Sequence, residues 1–249
     1  MKEYLWHLLI FCFAMLFWLM LFYGRVFNEL LLPEPLIVLR ELSELLVMKY
    51  FWLDFVYSVG RALLGFTIGG AAGVMLGFLF PVYSPAGRAL RPWIDFLRSI
   101  PGPSLVPIFM LFFGLTESSK ILYISFIVAL IVIVGAINGT ENANSTRRLF
   151  IRSLSMSRTR MFFHYILPEA LPYISASAKI GLSYSFVATV VAEMLMSTEY
   201  GFGRRIIEYQ MVYETAKMYA TILIIGLFGY LANQGYLSLE KRWVHWAGK

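Results

Sequence analysis

A lone cysteine, Cys12, leaves this chain of 249 residues without an internal disulfide. The three histidines, His7, His164 and His245, are widely separated and none belongs to an HExxH arrangement, so no metal-site motif is present. Charge is scarce as well: 14% of residues are Asp, Glu, Lys or Arg, against about 25% in an average soluble domain. A surface that poor in charge does not keep such a chain dispersed in water, which excludes a soluble globular protein. No Gly-rich loop followed by Lys and Ser or Thr occurs, so the chain itself holds no nucleotide-binding motif and no cofactor is expected in it. The formal net charge of +6 raises nucleic acid as a partner, but the basic residues lie in short stretches between apolar blocks without an aromatic-basic platform. No nucleic-acid binding is expected.

In place of charge stands apolar sequence, 59% of the chain. Blocks long enough to span about 30 Å of hydrocarbon appear near 6–24, 59–80, 96–115, 120–139, 171–195 and 217–238. The expected fold is all-α, a polytopic membrane protein with six transmembrane helices. Lys2 precedes the first block in the manner of a signal peptide, but Leu8 to Tyr23 is long and bulky and no small-residue cleavage site follows, so it reads as a retained helix. Pro101, Pro103 and Pro107 interrupt the third block, and membranes tolerate such breaks only where protein or a water-filled cavity satisfies the freed carbonyls. That block should face a bundle interior or a pathway.

The loops orient the chain. With the N-terminus inside, the cytoplasmic side holds Arg88 and Arg91, then Arg147, Arg148, Arg152, Arg158 and Arg160, then Lys241, Arg242 and Lys249. The bias favours both termini in the cytoplasm, with Glu117 to Lys120 and Thr198 to Glu214 outside. Asp95 and Arg98, spaced i,i+3, are expected to neutralise one another. The first external connection carries a helical pattern after Pro33 and Pro35, with Leu39, Leu42 and Leu46 on one face, and reads as an amphipathic interfacial helix. The organisation expected is a first helix with this amphipathic segment over 1–56, a transmembrane core over 57–240 with a cytoplasmic loop at 141–168, and a tail at 241–249.

Within the helices, Gly65, Gly69, Gly73 and Gly77 recur every fourth residue and mark a face for close helix packing. In the fifth block Ser175, Ser177, Gly181, Ser183 and Ser185 are small and polar, and with Pro101, Pro103 and Pro107 they read as candidate path lining. Glu193 lies at the outer end of that block, about 21 Å along the helix from Lys179 and out of its reach. It reads either as a hydrated or capping carboxylate or as part of an external gate or interhelical hydrogen bond.

Between the fourth and fifth blocks the segment RRLFIRSLSMSRTRMFFHYILPEALPYI interleaves Arg152, Arg158 and Arg160 with Leu149, Phe150, Ile151, Leu154 and Met156, and proline breaks are expected at Pro168 and Pro172. A merely solvated loop has no need of those apolar side chains; the pattern suits insertion into a groove on a soluble partner.

RSLSMSR followed by ILPEALPYI resembles the coupling loop of the inner-membrane permease subunits of binding-protein-dependent ABC importers, in the nitrate, sulfonate and taurine branch. Arg152, Ser153, Leu154, Ser157 and Arg158 match that branch, and Leu167 and Pro168 match its Leu-Pro end. The family's Glu-Ala-Ala triplet is replaced by Leu149, Phe150 and Ile151, and its glycine by Ser155. Further blocks resemble the branch in the same order, among them VGRALLGFTIGGAAGVMLGFL, RPWIDFLRSIPGPSLVPIFMLFFGL and VVAEMLMSTEYGFGRRI. The resemblance implies a type I ABC importer permease fold (MetI-like) in the cell inner membrane. It implies a second permease copy, two cytoplasmic ATPase subunits that bind ATP and Mg, an external substrate-binding protein, and a small anionic solute such as nitrate, a sulfonate or taurine. Leu149 to Arg158 with Leu167 and Pro168 would couple to the ATPase. Two other readings stay open on residues alone: an assembly subunit without a path, which should lack small polar lining, and a channel or secondary transporter, which should show buried charge pairs.

Overall fold

The computed structural model describes residues 2–79, 85–141, 157–196 and 198–243. These residues form helices and no strands: α1 (Lys2–Tyr23), α2 (Pro35–Val47), α3 (Lys49–Leu79), α4 (Pro85–Ser99), α5 (Gly102–Phe113), α6 (Glu117–Glu141), α7 (Arg158–Met161), a π-turn at Phe162–Ile166, α8 (Leu167–Leu195), α9 (Phe202–Met211) and α10 (Thr215–Trp243). Lys49–Leu79, Glu117–Glu141, Phe162–Leu195 and Thr215–Arg242 are long and apolar enough to cross a membrane. Ala89–Ser99 and Gly102–Phe113 add a fifth span if counted as one, but they meet at 98°. Among the described residues four such helices, or five with the bent pair, are evident against the six expected, and Leu9–Tyr23 is a shorter apolar stretch.

α3, α6 and α8 make the core. Gly65, Gly69, Gly73 and Gly77 are all buried on the α3 face turned to α6. A Cβ on Gly73 would sit 2.8 Å from Ala129 O, and one on Gly77 2.5 Å from Ala136 Cβ, so the two backbones approach as close as glycine permits. Apolar lipid tails offer no hydrophobic drive for helices to associate, which makes this close contact the source of cohesion. α6 repeats the device toward α8: a Cβ on Gly139 would meet Ala170 Cα at 2.7 Å. Tyr123, Ile124, Val128 and Val132 of α6 then pack with Leu105 and Val106 of α5, Ala188 and Ala192 of α8, and Met196 just past its end.

A second layer joins α2, α9 and α10 to the start of α3 through Val38, Leu45, Phe51, Phe202, Tyr209, Ala220 and Ile224. The buried face of α2 is Val38, Leu42 and Leu45, one register away from the expected Leu39, Leu42 and Leu46; Leu39 and Leu46 are exposed. Leu42 belongs to both stripes, and packing against α10 selects between them. α3 starts at Lys49, well before the apolar block at 59–80, and runs unbroken through the expected boundary at 56/57. The stretch 85–95, expected as loop, is the first part of α4, held to α6 by Ile94 against Ile133 and Ile137.

Pro168 and Pro172 do not break the chain. Leu167 N–H bonds back to Phe162 O, a five-residue π spacing that widens the turn ahead of Pro168, and Pro168 falls in the first turn of α8 where no N–H is required. Helix continues from Phe162 to Leu195. The break falls instead at Ile100 and Pro101, between α4 and α5.

Candidate functional site

Two features draw on the same core helices, α6 and α8. The first is a groove of about 520 Å³ with α6 as its floor, the α4–α5 elbow as one wall and α8 as the other. Leu97, Arg98, Gly102 and Pro103 line the elbow side, while Ser177, Ile180, Tyr184, Ala188 and Val191 line the α8 side. Apart from Tyr123, Tyr173, Tyr184, Asn138, Ser177 and Arg98 the lining is apolar, and Arg98 is its one charged side chain among the described residues. Asp95 does not neutralise it: among the described residues no ion pair joins Asp95 to Arg98, and the pair on this helix is Arg91 Nη1 to Glu141 Oε1 at 2.6 Å. A larger cavity, about 810 Å³, lies between the turn after α1 and the start of α10 and touches neither α6 nor α8.

The candidate path residues separate on inspection. Pro103 and Ser177 line the groove, with Ser177 Oγ donating to Ile174 O at 2.9 Å. Pro101 precedes α5 and Pro107 lies within it, both exposed and outside the groove lining. Gly181 packs on α6, where an added Cβ would meet Val128 Cγ1 at 3.3 Å, and Ser185 is fully buried with its hydroxyl on Leu182 O. Ser175 and Ser183 face α10, bonded to Tyr236 and Glu240 and to Asn233. The small polar residues of α8 thus serve several helix contacts, and Ser177 alone among these serines reaches the groove.

The second feature is an ion network one turn beyond the groove on the same helices. Arg61 of α3 is 3% exposed. Its Nε and Nη2 grip Glu117 of α6 at 2.6 and 2.9 Å, its Nη1 reaches Glu193 Oε1 of α8 at 2.6 Å, and Nη1 and Nη2 also donate to Tyr200 O and Thr198 Oγ1 at 2.8 and 2.9 Å. A guanidinium has five N–H donors, and five acceptors from three parts of the chain meet them. Lys120 Nζ adds a second cation to Glu117 at 2.8 Å, so the cluster holds two carboxylates and two cations. Glu193 is buried, not hydrated, and its partner is Arg61.

The same carboxylate caps a helix, though not its own. The first N–H groups of α9 have no partner within that helix, and side chains from α3 and α8 supply them. Gly201 N donates to Asp54 Oδ1 at 2.8 Å, Phe202 N to Ser58 Oγ at 3.0 Å and Gly203 N to Glu193 Oε2 at 2.9 Å. Negative charge at this end also complements the helix dipole. Asp54 in turn binds Arg205 Nε at 2.6 Å, and Arg205 stacks 4.8 Å from the Tyr50 ring centroid. Burial works against the Arg205 charge, but the Asp54 carboxylate more than offsets it and the guanidinium pKa is raised. Asp54, Ser58 and Arg61 follow i, i+4, i+7 spacing, which puts them on one face of α3. Sequence reading passed over all three; a polar stripe at helical spacing on an otherwise apolar span was the available signal.

Residues 142–156, which include Leu149 to Met156, lie outside the described residues. Ser157 is exposed, Arg158 begins α7, and Leu167 and Pro168 start α8. Among the described residues no group of three or more His, Cys, Asp or Glu side chains is placed to hold a metal ion.

The described residues thus form a bundle of long apolar helices with an open groove and a bent helix pair as one wall. Residues 65–245 match the family described as binding-protein-dependent transport system inner membrane component, and the chain belongs to that family. It is a multi-pass membrane permease subunit of an ABC importer. The putative aliphatic sulfonates transport permease SsuC of Escherichia coli K12 is 30% identical over 216 residues, covering 87% of this chain and 82% of that protein. The taurine transport system permease TauC of the same organism is 27% identical over 230 residues, covering 90% and 83%. Among solved structures, the MetNI methionine ABC transporter in an inward-facing conformation superposes with a TM-score of 0.66 over 76% of this chain and 94% of that one at 16% identity, which establishes the MetI-like fold.

Proposed function

We propose that the chain lines half of an import path for a small anionic solute, that a second copy completes the path, and that an external binding protein delivers the solute. The observation that carries the anion assignment is Arg98, the lone charge on a groove that is otherwise apolar or neutral. A guanidinium on an otherwise uncharged wall biases passage toward anions and against cations. The similarity to permeases named for sulfonates and taurine supports the same solute class.

In this arrangement six crossings are made by α1, α3, the bent α4–α5 pair, α6, the α7–α8 continuum and α10, with both termini in the cytoplasm. The arginines from Arg147 to Arg160 support that orientation. Leu149 to Arg158, with Leu167 and Pro168, dock on two ATPase subunits, which bind ATP and Mg. Closure of those subunits moves the loop and reorients the groove. The organisation is a first helix and amphipathic segment over 1–56, a permease core over 57–240 and a tail at 241–249. A secondary transporter would hold its buried charges where solute passes, whereas Arg61 and Glu193 are absent from the groove lining and fully engaged with protein.

The test is ATP hydrolysis by the complex reconstituted with its ATPase and binding protein, screened against oxyanions, neutral metabolites and cations. Stimulation by oxyanions is expected. Stimulation by a neutral or cationic compound alone overturns the solute assignment, and failure of any ATPase to bind overturns the coupling assignment.

A further inference from the structure

We infer that Arg61 is the positioning residue of the external gate: just beyond the outer end of the groove it locks α6, through Glu117, to a unit of α3, α8 and the segment from Thr198 through α9, the cap. The inference rests on the permease reading above. Tyr123 of α6 and Ala188 and Val191 of α8 line the groove, and Glu117, Lys120 and Glu193 stand within about two turns further along the same helices. The network therefore bridges the groove's floor and wall just beyond its end.

Arg61 bonds directly to three pieces at once, α6 through Glu117, α8 through Glu193, and the cap through Thr198 Oγ1 and Tyr200 O. The cap is moulded to this arrangement. Gly201 has φ +148°, and a Cβ there would lie 2.5 Å from Glu193 Cδ, so the loop follows the carboxylate that Arg61 holds. The three N–H bonds at the start of α9 to Asp54, Ser58 and Glu193 then orient the cap helix.

The two halves of the network differ in how they can open. Glu193 has no exposed side-chain surface and is bonded by Ser58, Arg61 and Gly203, whereas the Glu117 side chain is 49% exposed, with both oxygens on Arg61 and Oε1 shared with Lys120. Glu117 is the arm that can release to water while Glu193 keeps its partners, so the gate opens between α6 and the Arg61–Glu193 unit.

Arg61→Lys tests this, because lysine keeps the charge that balances Glu193 but has three donors on a point charge and cannot grip Glu117, Glu193 and the Tyr200 carbonyl together. In a Cys12→Ser background carrying Val191→Cys, an impermeant maleimide added from outside reads access to the groove. Assembled Arg61→Lys complexes are expected to label faster, and to hydrolyse ATP without binding protein roughly fivefold faster or more, the lower range of ordinary coupling between sites. Unchanged labelling together with unchanged solute-independent hydrolysis overturns the inference. Should Arg61→Lys fail to assemble, Glu117→Gln, at a half-exposed carboxylate, takes the same two measurements with the same deciding outcomes. Ethanesulfonate-stimulated hydrolysis by the parent complex separates the two levels: its absence counts against the proposed solute class and leaves the labelling result to judge the gate.

Discussion

At the scale of single residues, two positions invite direct tests. Gly201 combines a left-handed φ of +148° with no room for a Cβ beside Glu193. Gly201→Ala should therefore lower stability by about 1–3 kcal/mol through backbone strain and displacement of the carboxylate, read as a lower Tm of the purified complex; an unchanged Tm would show that the cap adjusts freely. Arg98→Gln should leave assembly and Tm unchanged, since Arg98 is exposed and joins no ion pair among the described residues. Anion uptake should fall about tenfold, the rate equivalent of about 1.4 kcal/mol, with Arg98→Lys recovering part of it. Equal uptake by the Gln variant removes Arg98 from solute selection. Glu193 was legible as an isolated carboxylate in an apolar block; its partner was not, because Arg61 is 132 positions away in sequence and only helix packing brings them to 2.6 Å.

Among the elements, α3 and α6 depend on contact between backbones. Gly69→Leu or Gly73→Leu must force the helices apart, at a cost of about 1–3 kcal/mol for overpacking, and should reduce the yield and Tm of the extracted complex. Normal values for both would mean that the interface repacks around leucine. The coupling segment carries a separate ranking. If Leu149 to Arg158 dock on the ATPase as proposed, Leu154→Asp or Met156→Asp should abolish ATPase copurification, while Arg158→Ala should cost less than about 1 kcal/mol of binding. Retained copurification by both aspartate variants would remove this segment as the docking element. The spacing of Gly65, Gly69, Gly73 and Gly77 is legible in the residue order alone, as is the existence of an amphipathic helix near 35–47. Which face of that helix turns inward is not, since Val38, Leu42, Leu45 and Leu39, Leu42, Leu46 are equally apolar stripes.

For the whole molecule, the orientation proposed from the arginines is open to cysteine labelling at exposed positions. Ser118 and Gln210 are exposed, whereas neighbouring Ser119 and Ile206 are buried and would not report. In a Cys12→Ser background, Ser118→Cys and Gln210→Cys should react with impermeant maleimide from outside, and Lys241→Cys only after the inner face is opened; the reverse pattern inverts the topology. The sequence alone determined the membrane class and the long helices, because scarcity of charge, apolar run length and glycine period are properties of local chain composition that a bilayer reads directly. Tertiary structure decided the rest. The 98° elbow, the groove with Arg98 on it, and the union of Asp54, Ser58, Arg61, Glu117 and Glu193 around the start of α9 arise from residues far apart in the chain. A buried charge in a membrane helix must find its counter-charge and hydrogen bonds somewhere in the fold, but its own segment does not say where, and only the packing of α3, α6 and α8 supplies that partner.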